Sequence, residues 1–167
     1  LETGNRERND HLSRHYQRHA FDLLGGVHNA GLRDPALDVA LARLRFDLKA
    51  GDVEPLAQAA LGYPELAGQD RCNALFLLAD AHAKRKDFKQ ALPHALELTT
   101  LRRHPADWLL LGRCREQIDG LAAAIGAYEQ AVRINPRLWD VHEFLADHFR
   151  RQGDGKKAAW HQARAVK

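Results

Sequence analysis

The chain has 167 residues, 45% of them hydrophobic and 28% charged, which is enough apolar side chain to bury a core and too much to leave the chain unfolded. Lys and Arg number 25 against 22 Asp and Glu, and the two signs are interleaved, so no basic block marks a nucleic-acid partner. Charges also interrupt every apolar run short of the ~18 to 20 residues that a membrane helix needs, and no membrane partner is expected.

The opening residues, Leu1-Glu2-Thr3-Gly4 and Asn5-Arg6-Glu7-Arg8, are polar, carry no signal-peptide core and read as a frayed terminus. Met is absent, position 1 included, and this reads as a mature form or a piece of a longer chain. A first helix is predicted from Asp10 to about Leu24, with Leu12, Tyr16, Ala20 and Leu23 as its apolar face. His11, His15 and His19 border that face at four-residue steps. His11 and His19 would sit ~12 Å apart along the axis while zinc–nitrogen bonds are ~2 Å, so the three cannot close one site; at most two would serve, with other ligands from elsewhere, and no metal is expected. Gly25-Gly26-Val27-His28 lacks the preceding strand of a dinucleotide loop and is expected to be a bend or a close helix contact. The six remaining histidines, His82, His94, His104, His142, His148 and His161, look scattered.

Turn signals then recur along the chain: Gly31 to Pro35, Gly51-Asp52, Gly62-Tyr63-Pro64, Arg85-Lys86-Asp87, His104-Pro105, Asp119-Gly120, Asn135-Pro136 and Gly153-Asp154-Gly155. The segments between them are rich in Ala, Leu, Arg and Glu, with apolar residues at three- and four-residue steps. Trp108, Leu111, Cys114 and Ile118 fall on one helix face, and Arg113, Glu116 and Gln117 on another. The fold class is therefore all-α, built of short helices. Cys72 and Cys114 are too few for a disulfide framework and are expected to be small buried hydrophobes.

Evenly spaced short helices call for a repeat search. Gly112 and Ala146, Leu111 and Leu145, Ala124 and Ala158, and Ala131 and Ala165 are each 34 residues apart, and Leu78, Ala79 and Ala91 fall in the same columns at a spacing of 33. Trp108-x2-Leu111-Gly112, Ala124-x3-Tyr128, Ala131 and Pro136 resemble the signature of the tetratricopeptide repeat (TPR) family, a helical hairpin of about 34 residues. The next unit keeps Leu145, Ala146, Phe149, Gly153, Ala158 and Ala165 but has His142 for the Trp and Gln162 for the second aromatic. The preceding unit keeps Leu78, Ala79, Asp87-Phe88 and Ala91, with His82 and Ala95 in the aromatic columns. Arg115 also departs from the pattern.

The resemblance implies a right-handed superhelical solenoid of antiparallel helical hairpins. It divides the chain into an N-terminal tail and helix (1–34), a degenerate hairpin (35–68) and three TPR-like hairpins (69–167). Small residues in the repeat columns let paired helices approach to the short end of the ~8 to 10 Å range, with Leu and aromatic side chains filling the gaps.

The resemblance also implies a function. First helices of stacked hairpins line a concave face, and their outward residues form stripes at four-residue spacing: Leu41-Arg45-Lys49, Phe76-Asp80-Lys84, Leu109-Arg113-Gln117 and Glu143-Asp147-Arg151. The last three stripes are the expected binding site for a protein or peptide carrying both charge signs. Asp80, Glu143 and Asp147 break up the concentration of Lys, Asn and Arg with which some TPR domains clamp a C-terminal carboxylate, so that clamp is not expected. At the other end, Ala158, Ala159, Trp160, Ala163 and Val166 are expected to be incompletely covered, which points to self-association or a neighbouring domain through the C-terminal hairpin. No nucleophile elbow, phosphate-cradling glycine loop or His-Glu-x-x-His pair is present. The chain is therefore expected to be a non-catalytic scaffold without a cofactor. The alternative is an accessory domain that positions a substrate or subunit for a larger enzyme or a secretion or assembly protein.

Overall fold

The computed structural model describes residues 2–166, with side chains described for residue 10 and residues 12–166. Among the described residues it is all α-helix, without strands. The helices are α1 (Glu2–Asn29), α2 (Pro35–Leu48), α3 (Glu54–Leu61), α4 (Gly68–Lys84), α5 (Phe88–Leu101), α6 (Pro105–Asp119), α7 (Leu121–Ile134), α8 (Trp139–Arg151) and α9 (Gly155–Gln162). They fall into two compact units, residues Leu1–Ala81 and His82–Lys167.

Helix boundaries follow local chemistry. Asp34 caps α2, its carboxylate accepting from the Leu37 N–H at 3.0 Å, and Pro35 begins the helix where no amide hydrogen is needed. Asp87 and Asp154 cap α5 and α9 in the same way, from Gln90 N–H at 3.3 Å and Lys157 N–H at 3.0 Å. Gly120, with φ of 86°, makes the one-residue turn from α6 into α7 in a conformation that side chains disfavour.

In the N-terminal unit, Leu37, Leu41 and Ala42 of α2 pack with Val53, Leu56 and Ala57 of the α3 segment and with Leu77 and Leu78 of α4. Phe21 and Leu24 of α1 close over that cluster. The helix α1 differs from the sequence expectation in two respects. It runs straight through Gly25 and Gly26, and a Cβ at either would meet nothing within 4 Å, so neither a bend nor a close contact explains them. Each glycine costs its helix about 1 kcal/mol relative to alanine, a cost that packing of the flanking Phe21, Leu24 and His28 offsets. Its packed face is also not Leu12, Tyr16 and Leu23, which are exposed, but the neighbouring stripe of Ala20, Phe21, Leu24 and His28. His28 pins the end of the helix, with Nδ1 3.1 Å from the buried Asp38 carboxylate of α2.

In the C-terminal unit, α5 packs on α6, α6 on α7, α7 on α8 and α8 on α9, each following its predecessor in the chain. The tightest approach lies between α6 and α7. A Cβ placed on Gly112 would stand 2.5 Å from Tyr128 Cε1, so only glycine admits the ring. Tyr128 then joins Ala124, Ile125, Val132, Leu145, Phe149 and Ala158 in one cluster, and meets Phe144 edge to face with ring centroids 5.3 Å apart. The turn from α5 to α6 is tied by Arg102, whose Nε and Nη2 donate to the fully buried Asp107 carboxylate at 2.7 and 2.9 Å. This bidentate pair has no signature in the repeat pattern. Cys72 and Cys114 are both buried and free, as expected.

Candidate peptide-binding surface

The helix pattern that buries Leu78, Leu111 and Leu145 leaves other faces of α4, α6 and α8 available. In the N-terminal unit the predicted residues of α4 are partly covered. Leu41 is 3% exposed and belongs to the core, so the stripe predicted from it does not present it. Phe76 is half-buried and meets Phe46 edge to face at 6.3 Å, and Asp80 is half-buried as well.

In the C-terminal unit more of the predicted residues are exposed. In α6, Leu109 packs on the Tyr128 cluster, while Arg113 and Gln117 are exposed. In α8, Glu143 and Arg151 are exposed, and Asp147 accepts from Arg150, which also reaches Gln162 Oε1 at 2.9 Å. Three of the predicted residues converge: Lys84, Arg113 and Gln117 line one cavity of about 540 Å3. That volume lies in the ~300 to 1,000 Å3 range of ligand sites. Glu143, Asp147 and Arg151 do not line it.

The cavity brings in three more residues, Lys86, Phe88 and Glu116. Lys86 stands in the turn before α5 with φ of 63°, a left-handed conformation that ends the preceding helix and turns the chain into the Asp87 cap. Phe88 opens α5 and supplies the apolar wall. The Asp87-Phe88 dipeptide is part of the repeat pattern, so Phe88 could have been added to the site on that signal.

Glu116 is held in place. Tyr128 Oη donates to Glu116 Oε2 at 2.7 Å, and burial, then the carboxylate itself, hold the phenol above its ordinary pKa. The tyrosine therefore remains a proton donor throughout the physiological range and fixes the Glu116 carboxylate at the cavity wall. Three cations, one carboxylate and one aromatic face suit a ligand that carries acidic groups beside an apolar one.

The histidines are less scattered than their sequence positions suggest. His142 and His161 are in hydrogen-bond contact, and His82 and His94 stack with centroids 6.1 Å apart. Burial and the neighbouring His82 lower the pKa of His94. His15 and His19 are exposed on α1, and the side chain of His11 lies outside the described residues. Among the described residues, no group of three or more His, Cys, Asp or Glu side chains is placed to hold a metal ion. No helix among them is long and apolar enough to cross a membrane.

No family profile matches the chain, and no curated protein matches it. Solved structures do. A MamA double mutant from strain RS-1 superposes with a TM-score of 0.73 at 22% identity, covering 92% of this chain and 85% of that one. MamA residues 41 to the end, from Desulfovibrio magneticus RS-1, gives 0.72 at 21%, covering 92% and 86%. MamA from AMB-1 gives 0.70 at 18%, covering 90% and 87%. The shared feature is the fold, an all-α array of helical hairpins over nearly the whole length of each chain.

Proposed function

We propose that the chain is a TPR-type interaction scaffold that binds a peptide or partner segment in the C-terminal unit, at the cavity between the start of α5 and the exposed face of α6. The convergence of Lys84, Arg113 and Gln117 on one cavity carries this reading. The repeat columns at 34-residue spacing and the likeness of fold to MamA support the TPR assignment. The mechanism is geometric. The Gly112–Tyr128 contact and the Arg102–Asp107 pair hold α5, α6 and α7 rigid, so little conformational freedom is lost when a ligand docks. Acidic side chains of the ligand meet Lys84, Lys86 and Arg113, and an apolar neighbour rests on Phe88.

Selection of a displayed peptide library against the chain tests the reading. Enriched peptides should carry an acidic residue next to an apolar one, and Arg113→Glu should weaken them about tenfold, which is about 1.4 kcal/mol. Enrichment of basic peptides, or binding indifferent to that substitution, would overturn it.

A further inference from the structure

A second cavity, of about 360 Å3, is lined by α7, α8, α9 and the segments after α7 and α9, and it shares no residue with the first. His142 and His161 line it, both buried, with their Nδ1 atoms 2.9 Å apart. One nitrogen must carry the hydrogen and the other accept it, and burial lowers the pKa of both rings. His142 Nε2 is fully enclosed and makes no hydrogen bond of good geometry, and the Pro136 carbonyl is the backbone group acting on the ring. The walls are apolar, from Val132, Pro136 and Trp160.

Trp160 explains why the cavity is open to a ligand. It is 49% exposed, yet it is not a bare apolar surface. His142 and His161 meet its ring, with centroids 5.7 and 4.7 Å away, and the Arg164 guanidinium lies 3.9 Å from its ring centroid while Nη1 donates to the Trp160 carbonyl at 3.0 Å. Arg164 is thus pre-oriented at the edge of the cavity with further N–H groups to give. Arg133, at the end of α7, is exposed and lines the same cavity. Of the lining residues the one carboxylate, Glu129, is already engaged by Lys157 at 3.4 Å. Two guanidiniums at an apolar, partly enclosed cavity whose one acid is paired with a lysine attract an anion with an apolar body.

We propose that this cavity binds a small apolar carboxylate, with the acid group between Arg133 and Arg164 and the apolar body against Trp160 and Val132. The size of the cavity suits an aromatic acid of indoleacetate dimensions. Arg133 is exposed and outside the core, so it can be changed without disturbing the fold.

Titration of the uniformly 15N-labelled full chain with indole-3-acetate, indole-3-acetamide and acetate, read at the Trp160 indole N–H, tests the proposal. The acid should give saturable shifts at Trp160, and the amide and acetate should bind at least about tenfold more weakly. Arg133→Gln should bring the acid down to the amide's affinity with an unchanged melting temperature. A tripeptide ending in a free apolar residue distinguishes the source: tighter binding than the free acid assigns the carboxylate to a chain end, weaker binding assigns it to a free acid, and both keep the site. Equal affinity for acid and amide, an unaltered response in Arg133→Gln, or no saturable shift at Trp160 would overturn it.

Discussion

The α6/α7 and α8/α9 hairpins occupy equivalent places in the repeat, 34 residues apart, but they are closed by different physics. In the first, Trp108 and the buried Ala127 fill two columns by shape, and Gly112 admits the Tyr128 ring. In the second, the same columns hold His142 and His161, which are buried and hydrogen-bonded to each other. A contact made by shape is indifferent to pH and intolerant of volume. A contact made by two imidazoles depends on protonation.

The largest effect is expected from breaking the shape-made contact. Gly112→Leu should cost about 3 kcal/mol, at the upper end for overpacking, and lower the melting temperature by roughly 6 to 12 °C for a chain of this size. Tyr128→Ala in the same chain should recover part of that loss, because residues in contact do not act independently. A melt unchanged by Gly112→Leu would contradict the register of the repeat.

A smaller effect should come from protonating the other hairpin. Burial and then His142 hold the pKa of His161 down to about 4, with Lys157 and Arg164 adding and Glu129 opposing. His142 is lowered in turn by burial and Arg164, against the Pro136 carbonyl. An unfolded histidine titrates near ~6.5. Between those values the unfolded chain binds the proton and the folded chain does not, so stability is complete above pH 6.5 and declines as pH falls toward 4. The melting temperature should fall by a few degrees between pH 7.5 and 5.5. The double variant His142→Trp with His161→Ala, which copies the Trp108 and Ala127 columns, should lose the part this pair contributes and keep that of His94. A double variant with the full dependence would place its origin elsewhere. The smallest effect is expected at the exposed Arg113: Arg113→Glu should change stability by less than about 0.5 kcal/mol while weakening peptide binding, which separates binding from folding.

Repetition decides which parts of this molecule can be read from its residues. Leu111, Gly112, Ala124 and Ala131 stand in columns that recur 34 residues on, and the structure buries each. The single helix α1 has no repeat to check it. It carries two apolar stripes, and composition alone did not tell that Phe21 and Leu24, rather than Tyr16 and Leu23, face α2. The Arg102–Asp107 pair and the two histidine pairs were also hidden, since residues five, twelve and nineteen apart meet only after the hairpins have closed. The candidate site was legible at Lys84, Arg113 and Gln117, which the four-residue stripes marked. Lys86 and Phe88 escaped because turns and helix starts lie outside such stripes.

Chemical-shift mapping of a selected acidic peptide on the labelled chain tests the central claim most directly. The account predicts shifts at Lys86, Phe88, Arg113 and Gln117, with Trp160 unmoved. Shifts confined to the exposed Leu12, Tyr16 and Leu23 stripe of α1, or to Trp160, would contradict it.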